Sequence, residues 1–178
     1  MTIYEPSDDS YLLAEQVRKY ARGVVLDLGT GSGIQAIEAA KKKDVKKVIA
    51  SDVQKDVIDH LKNKNKNKKI TFRQSNLFSN VKNIKFDTII FNPPYLPSDL
   101  KVKDITIEGG KKGYEVIERF LSKANNYLKK EGIILMVFSS LTNPRMINSL
   151  IKKNKLKYRL LCKKHVFFED LMVYLIQK

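Results

Sequence analysis

The tetrad Asn92-Pro93-Pro94-Tyr95 is the feature of this sequence most specific for chemistry. It follows an apolar segment, residues 86–91, and its two prolines must end any strand ladder there. Because prolines fix the backbone, the Asn92 side chain and the Pro93 carbonyl become preset hydrogen-bond acceptors. Such acceptors suit a planar NH2 group. A loop of ordinary turn residues would explain any two of the four positions, but not all four.

A glycine-rich turn is the second candidate binding element. Residues 24–37 read VVLDLGTGSGIQAI, with glycines at 29, 31 and 33. A strand that turns tightly into a helix uses glycine for unusual backbone angles and for close approach of a ligand to the main chain. The G-x-G-x-G spacing and the lack of a following Lys-Ser/Thr pair disfavour a phosphate-cradling loop. The carboxylate of Asp27, just before the glycines, would also repel a phosphate.

Two further positions follow predicted strands. Asp52 ends the second strand, where an acidic side chain can accept both hydroxyls of a ribose; the alternative role is a helix N-cap. Asn76 and Leu77 follow the third strand, where they could contact the edge and face of an adenine; the alternative is an ordinary turn asparagine. The carboxyl ends of neighbouring parallel strands meet at one edge of a sheet, so we expect Asp27, Asp52 and Asn92 to converge.

The elements that must position these residues are short apolar runs that alternate with segments of helical period. This pattern predicts parallel strands linked by crossover helices, an α/β fold with a Rossmann-like doubly wound sheet. The predicted strands cover residues 24–28, 47–51, 70–74, 86–91, 132–138, 158–162 and 171–176, and helices are expected around 9–20, 34–40, 57–61, 114–128 and 144–153. The last two strands have no helix between them, which favours an antiparallel terminal hairpin.

Length and composition indicate one globular domain, residues 1–178. The chain is 43% hydrophobic, and a chain of this size buries roughly 70% of the surface that it exposes when unfolded. Disordered, collagen-like and small disulfide-stapled proteins are therefore excluded. With Cys162 as the single cysteine and only His60 and His165 as histidines, we expect no internal disulfide and no metal site.

Charge and hydropathy bear on location and partners. The longest wholly apolar run, residues 133–138, is far shorter than the roughly 20 residues that a membrane-spanning helix requires. The acidic start lacks an apolar signal region, so we expect a cytoplasmic protein with no membrane partner. The net charge of +15 attracts nucleic acid, although the lysine-rich composition could equally reflect a bias of the source organism.

Several of these motifs together resemble a known enzyme class. The VLDLGTGSG turn, the strand-end Asp52 and the N-P-P-Y tetrad resemble class I S-adenosylmethionine-dependent methyltransferases that act on NH2 groups, whose seven-stranded sheet has a reversed last strand. Residues 4–13, YEPSDDSYLL, resemble the Y-E-P-x-E-D-T/S-x-L-L opening of the HemK-related release-factor glutamine methyltransferases of archaea and eukaryotes, and residues 109–113 resemble their G-G-x-x-G stretch. Asp8 stands where Glu is usual, and Asn76 where many relatives have Asp.

The resemblance implies a reaction and a set of site residues. A methyl group would pass from S-adenosylmethionine, leaving S-adenosylhomocysteine, to the N5 nitrogen of the glutamine in the Gly-Gly-Gln motif of a class I peptide release factor. The catalytic residues would be Asn92, Pro93 and Tyr95, and the glutamine would be bound by Asn92, Pro93, Pro94 and Tyr95. The cofactor would be held by Ser10, Asp27, Gly29, Thr30, Gly31, Asp52, Val53, Asn76, Leu77 and Asn92.

The resemblance also implies a partner and leaves alternatives. Enzymes of the short branch, which lack the N-terminal helical domain of the bacterial branch, bind a small zinc-binding activator protein at an edge strand, here residues 70–74. Related N-P-P-Y enzymes methylate exocyclic amines of RNA or DNA, at adenine N6 or guanine N2, and the positive charge suits that substrate. No RNA-binding module or aromatic-rich basic strand is visible, however. Methylation of a protein lysine, or a binding module without activity, completes the alternatives.

Overall fold

The helices and strands follow the alternating order that the sequence predicts. The structure is a computed structural model that describes residues 5–81, 84–97 and 108–178. The helices are α1 (Asp8–Tyr20), α2 (Ile34–Ala40), α3 (Lys55–Lys64), α4 (Glu115–Tyr127) and α5 (Pro144–Lys153). The strands are β1 (Gly23–Leu28), β2 (Val45–Asp52), β3 (Ile70–Gln74), β4 (Phe86–Phe91), β5 (Leu96–Pro97), β6 (Glu108–Gly110), β7 (Leu128–Ser139), β8 (Lys157–Val166) and β9 (Glu169–Gln177). A 3-10 turn, Ser140–Thr142, follows β7.

Seven of the strands form one sheet in the order β3-β2-β1-β4-β7-β9-β8. Neighbouring strands from β3 to β7 pair in parallel, whereas β9 runs antiparallel to both β7 and β8. The predicted Rossmann-like α/β fold, the terminal hairpin and the reversed last strand are therefore confirmed. Strands β3 and β8 form the two edges of the sheet.

The helices cover both faces of this sheet. Helices α1, α2 and α3 pack on one face, and α4 and α5 pack on the other. Successive strand residues point to opposite faces, so Val25 lies in the first core cluster and Leu26 in the second. In such doubly wound folds, ligands bind beyond the carboxyl ends of the parallel strands.

Helix α1 delivers two polar residues to that end of the sheet. Its first turn carries Asp8 and Asp9 and its last turn carries Arg18 and Lys19, which complement the positive and negative ends of the helix dipole. Asp9 and Ser10 are nevertheless buried, at 2% exposure each. Two buried polar residues in a first turn need partners inside the fold, and these partners lie in the tetrad that follows β4.

The structure differs from the predictions in one additional ladder and in the bounds of several elements. Strands β5 and β6 form a short parallel ladder that the sequence did not predict, because segments of two and three residues are too short to show an alternating pattern. Strand β7 begins at Leu128 rather than at residue 132, because its polar start, Lys129 to Glu131, reads as a loop. Tyr4, the first residue of the Y-E-P motif, lies outside the described residues.

None of the helices in the described part of the chain combines the length and apolar character needed to cross a bilayer. Among those residues there is also no group of three or more His, Cys, Asp and Glu side chains arranged to hold a metal ion.

Candidate active site

A cavity of about 610 Å³ opens at the carboxyl ends of the first four strands. Its volume falls within the roughly 300–1,000 Å³ typical of small-molecule sites. The loops after β1, β2, β3 and β4 and the first turn of α1 all contribute to its wall. All but one of the predicted site residues line it: Ser10, Gly29, Thr30, Gly31, Asp52, Val53, Asn76, Leu77, Asn92, Pro93, Pro94 and Tyr95.

The exception is Asp27, which lies beneath the glycine turn and not in the cavity wall. It is 1% exposed, and its Oδ2 accepts hydrogen bonds from Thr30 Oγ1 at 2.6 Å and from the Ala36 amide at 3.1 Å. The pKa of this carboxyl is raised from 3.8 to about 7, mainly by burial and to a smaller extent by the charge of Asp52, against the opposing effect of the two hydrogen bonds. Asp27 therefore holds the turn together from below, which differs from the direct cofactor contact that the resemblance implies.

The glycine turn itself is fixed by backbone hydrogen bonds and one close approach. The Thr30 amide donates to the Ser51 carbonyl at 2.9 Å, and the Gly33 amide donates to the Thr30 carbonyl at 2.8 Å. Gly33 has a φ of +82°, and a Cβ at this position would lie 3.1 Å from the Leu61 side chain. A larger residue would require the Leu61 side chain to move by a few tenths of an ångström and would be strained in this left-handed conformation.

Asp52 ends β2 with both carboxylate oxygens facing the turns around it. Oδ2 accepts the Gly31 amide at 3.0 Å and Oδ1 accepts the Gln54 amide at 3.0 Å. The N-cap of α3 is Gln54, so the alternative of a helix N-cap does not describe Asp52. Each carboxylate oxygen has two acceptor sites, so each retains one for a ligand hydroxyl at the cavity wall.

Asn76 and Leu77 form a turn and also line the cavity. The Asn76 amide donates to Ser79 Oγ at 3.1 Å, and the Ser79 amide donates back to the Asn76 carbonyl at 3.1 Å. Leu77 adopts a φ of +48°, a left-handed conformation that is uncommon for leucine. The turn role and the ligand-facing position therefore coexist, because the turn is made by the backbone and leaves the side chains at the cavity wall.

Asp9 organises the tetrad end of the cavity. Its Oδ2 accepts from Asn92 Nδ2 at 3.2 Å and from the Tyr95 hydroxyl at 3.1 Å, and Asn92 Nδ2 also lies 3.4 Å from Ser10 Oγ. A carboxylate only accepts hydrogen bonds, so the amide nitrogen of Asn92 must face Asp9. The Asn92 Oδ1 atom is consequently left for a ligand; it is buried and has no hydrogen-bond partner among the described residues.

Sequence reasoning missed several residues of the cavity wall. Asp9 stands within the Y-E-P motif, so its position in the motif could have revealed it. Gln35 and Glu169 carried no sequence signal, because they reach the cavity from α2 and from the start of β9. Like Asn92 Oδ1, Gln35 Oε1 and Glu169 Oε2 are buried acceptors with no partner in the part of the chain that the structure describes.

The cavity has the opposite charge from the protein as a whole. Asp9, Asp52, Glu115 and Glu169 line it, and Arg119 is the one cationic side chain among the described lining residues. The unpartnered acceptors are all oxygens. A wall of this kind favours ligands that carry hydroxyl and N–H donors or positive charge, and it disfavours phosphates.

A glycine turn after β1, an acidic residue at the end of β2 and an N-P-P-Y tetrad after β4 define the site of a Rossmann-like methyltransferase. The family model described as the methyltransferase small domain matches residues 7–167, and the chain belongs to this family. The resemblance drawn from the motifs and the predicted class of enzyme are thereby confirmed.

The chain is similar to several individual proteins of known name or structure. A protein of Methanocaldococcus jannaschii, provisionally named a protein N5-glutamine methyltransferase, is 38% identical over 178 aligned residues, covering 96% of this chain and 89% of that protein. The release factor glutamine methyltransferase of Aquifex aeolicus is 30% identical over 75% of this chain, which spans 52% of that longer protein. The Mtq2 structure from E. cuniculi, solved as a Mtq2-Trm112 complex described as responsible for methylation of the eRF1 termination factor, shares the fold with a TM-score of 0.80 at 23% identity, covering 100% of this chain and 99% of that one.

Proposed function

We propose that this protein transfers a methyl group from S-adenosylmethionine to the N5 nitrogen of the glutamine in the Gly-Gly-Gln motif of a class I peptide release factor. The observation that carries the proposal is the buried Asn92 Oδ1, which has no hydrogen-bond partner in the described part of the chain and whose orientation Asp9 fixes. The NH2 group of a glutamine amide can donate the hydrogen bond that Asn92 Oδ1 is able to accept. The names of the relatives from Methanocaldococcus jannaschii and Aquifex aeolicus support glutamine as the residue modified.

The residues of the cavity fit the proposed cofactor. Asp52 retains acceptor sites for ribose hydroxyls, and Val53, Asn76 and Leu77 supply an apolar and amide wall for an adenine. Ser10 and the turn residues Gly29, Thr30 and Gly31 would hold the amino-acid end, while Asp27 supports the turn from below. When bound, S-adenosylmethionine supplies an electrophilic methyl group, and the acidic wall favours its positively charged sulfonium and ammonium groups.

The reaction then depends on positioning by the tetrad. Asn92 Oδ1 and the Pro93 carbonyl accept the two hydrogens of the substrate amide, which orients the nitrogen and stabilises the positive charge that grows on it. Tyr95, held by Asp9, packs on the amide plane. Orientation of this kind can lower the barrier by roughly 7–11 kcal/mol, so no nucleophilic side chain and no general base are assigned. The nitrogen lone pair forms the new C–N bond as the C–S bond of the cofactor breaks, and the excess proton on the methylated nitrogen leaves to water after the transfer.

A lysine of another protein is the second candidate, because the same acidic wall suits an ammonium group. Nucleic acid fits less well. The net charge of +15 would attract it to the surface, but Asp9, Asp52, Glu115 and Glu169 would repel phosphates close to the tetrad. The positive surface can equally assist docking to a translation factor, which would assign the protein to the cytoplasm.

The proposed activator would bind at β3. This strand pairs with β2 on one side, and no other described strand pairs with its free side. An unpaired edge can accept a strand from a partner, which a small zinc-binding protein would provide. Co-expression with such a protein should raise solubility or activity, and the absence of any gain would argue against dependence on it.

A labelled-methyl assay tests the proposed function. The substrates are a release factor, its Gln→Ala and Gln→Lys versions and total RNA, with the modified residue identified by mass spectrometry. We expect label in the wild-type release factor and none after Gln→Ala. Asn92→Ala should lower kcat by about 10²–10³-fold. Asn126→Ala, an exposed asparagine on α4, is the matched control and should retain wild-type turnover. Label in RNA alone would refute the proposal.

A further inference from the structure

The turn between β8 and β9 consists of two exposed phenylalanines. Phe167 is 87% exposed and Phe168 is 96% exposed, the highest values among the described large hydrophobic residues. Two-residue hairpin turns favour Asn-Gly or similar pairs, because at least one turn residue adopts a positive φ. Phe167 has a φ of +50°, a strained conformation for a bulky side chain. Neither turn geometry nor burial in a core explains two aromatic residues here.

The turn lies at the edge of the cavity. Phe168 immediately precedes Glu169, which lines the cavity together with Asn92 and the rest of the tetrad. Glu169 pairs with Val166 across the hairpin, so the position of the turn is fixed relative to the cavity wall. Leu141, 57% exposed, lies in the 3-10 turn that is joined to β9 by the Asp170 amide, which donates to Ser140 Oγ at 2.9 Å. Exposed apolar surface therefore adjoins the catalytic end of the cavity.

Glu169 indicates the chemistry of what approaches this edge. Its Oε2 is buried and has no hydrogen-bond partner within the described ranges. A buried carboxylate oxygen without a donor is costly, so the group fits a partner that brings an N–H. A polypeptide backbone presents N–H groups at regular intervals, whereas a nucleic-acid backbone presents phosphate oxygens. Aromatic side chains are also enriched at the cores of protein interfaces.

We propose that Phe167 and Phe168 form a docking edge for the polypeptide that flanks the methylated residue, and that Glu169 accepts an N–H of this segment. Phenylalanine side chains from the turn pack on apolar residues of the substrate protein. Docking at this edge holds the flanking chain in place while the target side chain enters the cavity toward Asn92. This inference rests on the proposed function, because it requires a protein substrate.

The test replaces the turn by one that the backbone prefers. The double variant Phe167→Gly with Phe168→Asn places glycine at the turn position that has a positive φ, so its melting temperature should equal or exceed that of the wild type. With the release factor as substrate we expect KM to rise by about tenfold or more, with a smaller change in kcat and an unchanged affinity for S-adenosylmethionine. Leu160→Ala removes a half-exposed apolar side chain from the middle of β8, distant from the turn, and serves as the matched control with an unchanged KM.

The outcomes separate the inference from the function on which it rests. Release-factor methylation by the wild type, with an unchanged KM in the turn variant, would overturn the docking edge and leave the proposed function standing. Loss of RNA binding in the turn variant without any change in KM for the release factor would also overturn it, since exposed aromatics can stack on bases. If the wild type does not methylate the release factor at all, both proposals fall.

Discussion

Asp9 and Asn92 are joined by a hydrogen bond of 3.2 Å from the Asn92 amide nitrogen to Asp9 Oδ2, across 83 residues of sequence. The bond fixes which end of the Asn92 amide faces the cavity. Within the described ranges, Asp9 Oδ1 accepts hydrogen bonds from Ser7 Oγ and the Ser10 amide, and Oδ2 accepts hydrogen bonds from Asn92 and Tyr95. A motif at the start of the chain therefore positions the tetrad that follows β4.

Asp9→Asn should disrupt the hydrogen bonds that orient Asn92. An asparagine has one acceptor oxygen and one NH2 group, so one pair of donors would face another donor. We expect the orientation of Asn92 to be lost and kcat to fall by about 10–100-fold, while affinity for S-adenosylmethionine changes little. Steady-state kinetics and calorimetry measure the two quantities. Asp8→Asn removes a surface ion pair with Lys164 and one charge from the first turn of α1, and as the control it should keep turnover close to wild type.

Asp52→Ala should weaken cofactor binding. The substitution removes the proposed acceptor for the ribose and also the bond that holds the Gly31 amide. We expect the dissociation constant for S-adenosylmethionine, measured by calorimetry, to rise by about tenfold or more. Asp56→Ala, an exposed acidic residue in the first turn of α3, should leave it unchanged. A wild-type affinity in Asp52→Ala would disprove the ribose assignment.

The raised pKa of Asp27 predicts that part of the free energy of unfolding depends on pH. The folded-state pKa of about 7 lies above the ordinary value of 3.8, so between these values the folded state binds more protons than the unfolded state. The contribution of Asp27 is fully present below pH 3.8 and is lost as the pH rises through about 7. The loss is at most about 1.4 kcal/mol for each pH unit.

Asp27→Asn isolates this component. An asparagine oxygen can still accept from Thr30 and from the Ala36 amide, but it does not titrate. Urea unfolding of the two proteins from pH 4 to pH 8 should show the variant gaining stability relative to the wild type as the pH rises. A difference between the two proteins that stays constant over this range would contradict the raised pKa.

Gly109→Ala should disturb the tetrad through the backbone. A Cβ at this position would lie 2.1 Å from the Gly113 carbonyl oxygen and 2.8 Å from the Pro94 carbonyl oxygen, so the main chain must shift. A displacement of about 1 Å near the reacting groups can cost on the order of 10²-fold in rate, and we expect a large fall in kcat. Lys111→Ala changes an exposed side chain in the same loop and should have no such effect.

Much of the fold follows from patterns that are local in sequence. Apolar runs predict the positions of the seven sheet strands, and the missing helix between the last two predicts the hairpin. The rule that ligands bind beyond the carboxyl ends of parallel strands predicts that Asp27, Asp52 and Asn92 converge. Asp52 and Asn92 line one cavity, whereas Asp27 lies beneath the glycine turn. These features depend on short-range periodicity and on the regular geometry of parallel sheets, which a sequence displays directly.

The remaining features depend on tertiary packing. Glu169 reaches the cavity because β9 inserts between β7 and β8, and Gln35 because α2 packs beside α1. The role of Asp27 is decided by its complete burial, which the motif does not reveal. The short ladder of β5 and β6 is too small to produce a pattern, yet it holds Gly109 beside Pro94.

The strand order has a consequence for how an activator and a substrate protein could both bind this chain. An activator would pair with β3 at one border of the sheet, and the phenylalanine turn belongs to β8 and β9 at the other. Seven strands have six gaps between them, which at about 4.8 Å each separates the two borders by about 29 Å. The two proposed contacts therefore lie at opposite edges of the sheet, and we expect the effects of substitutions at one contact to add to those at the other.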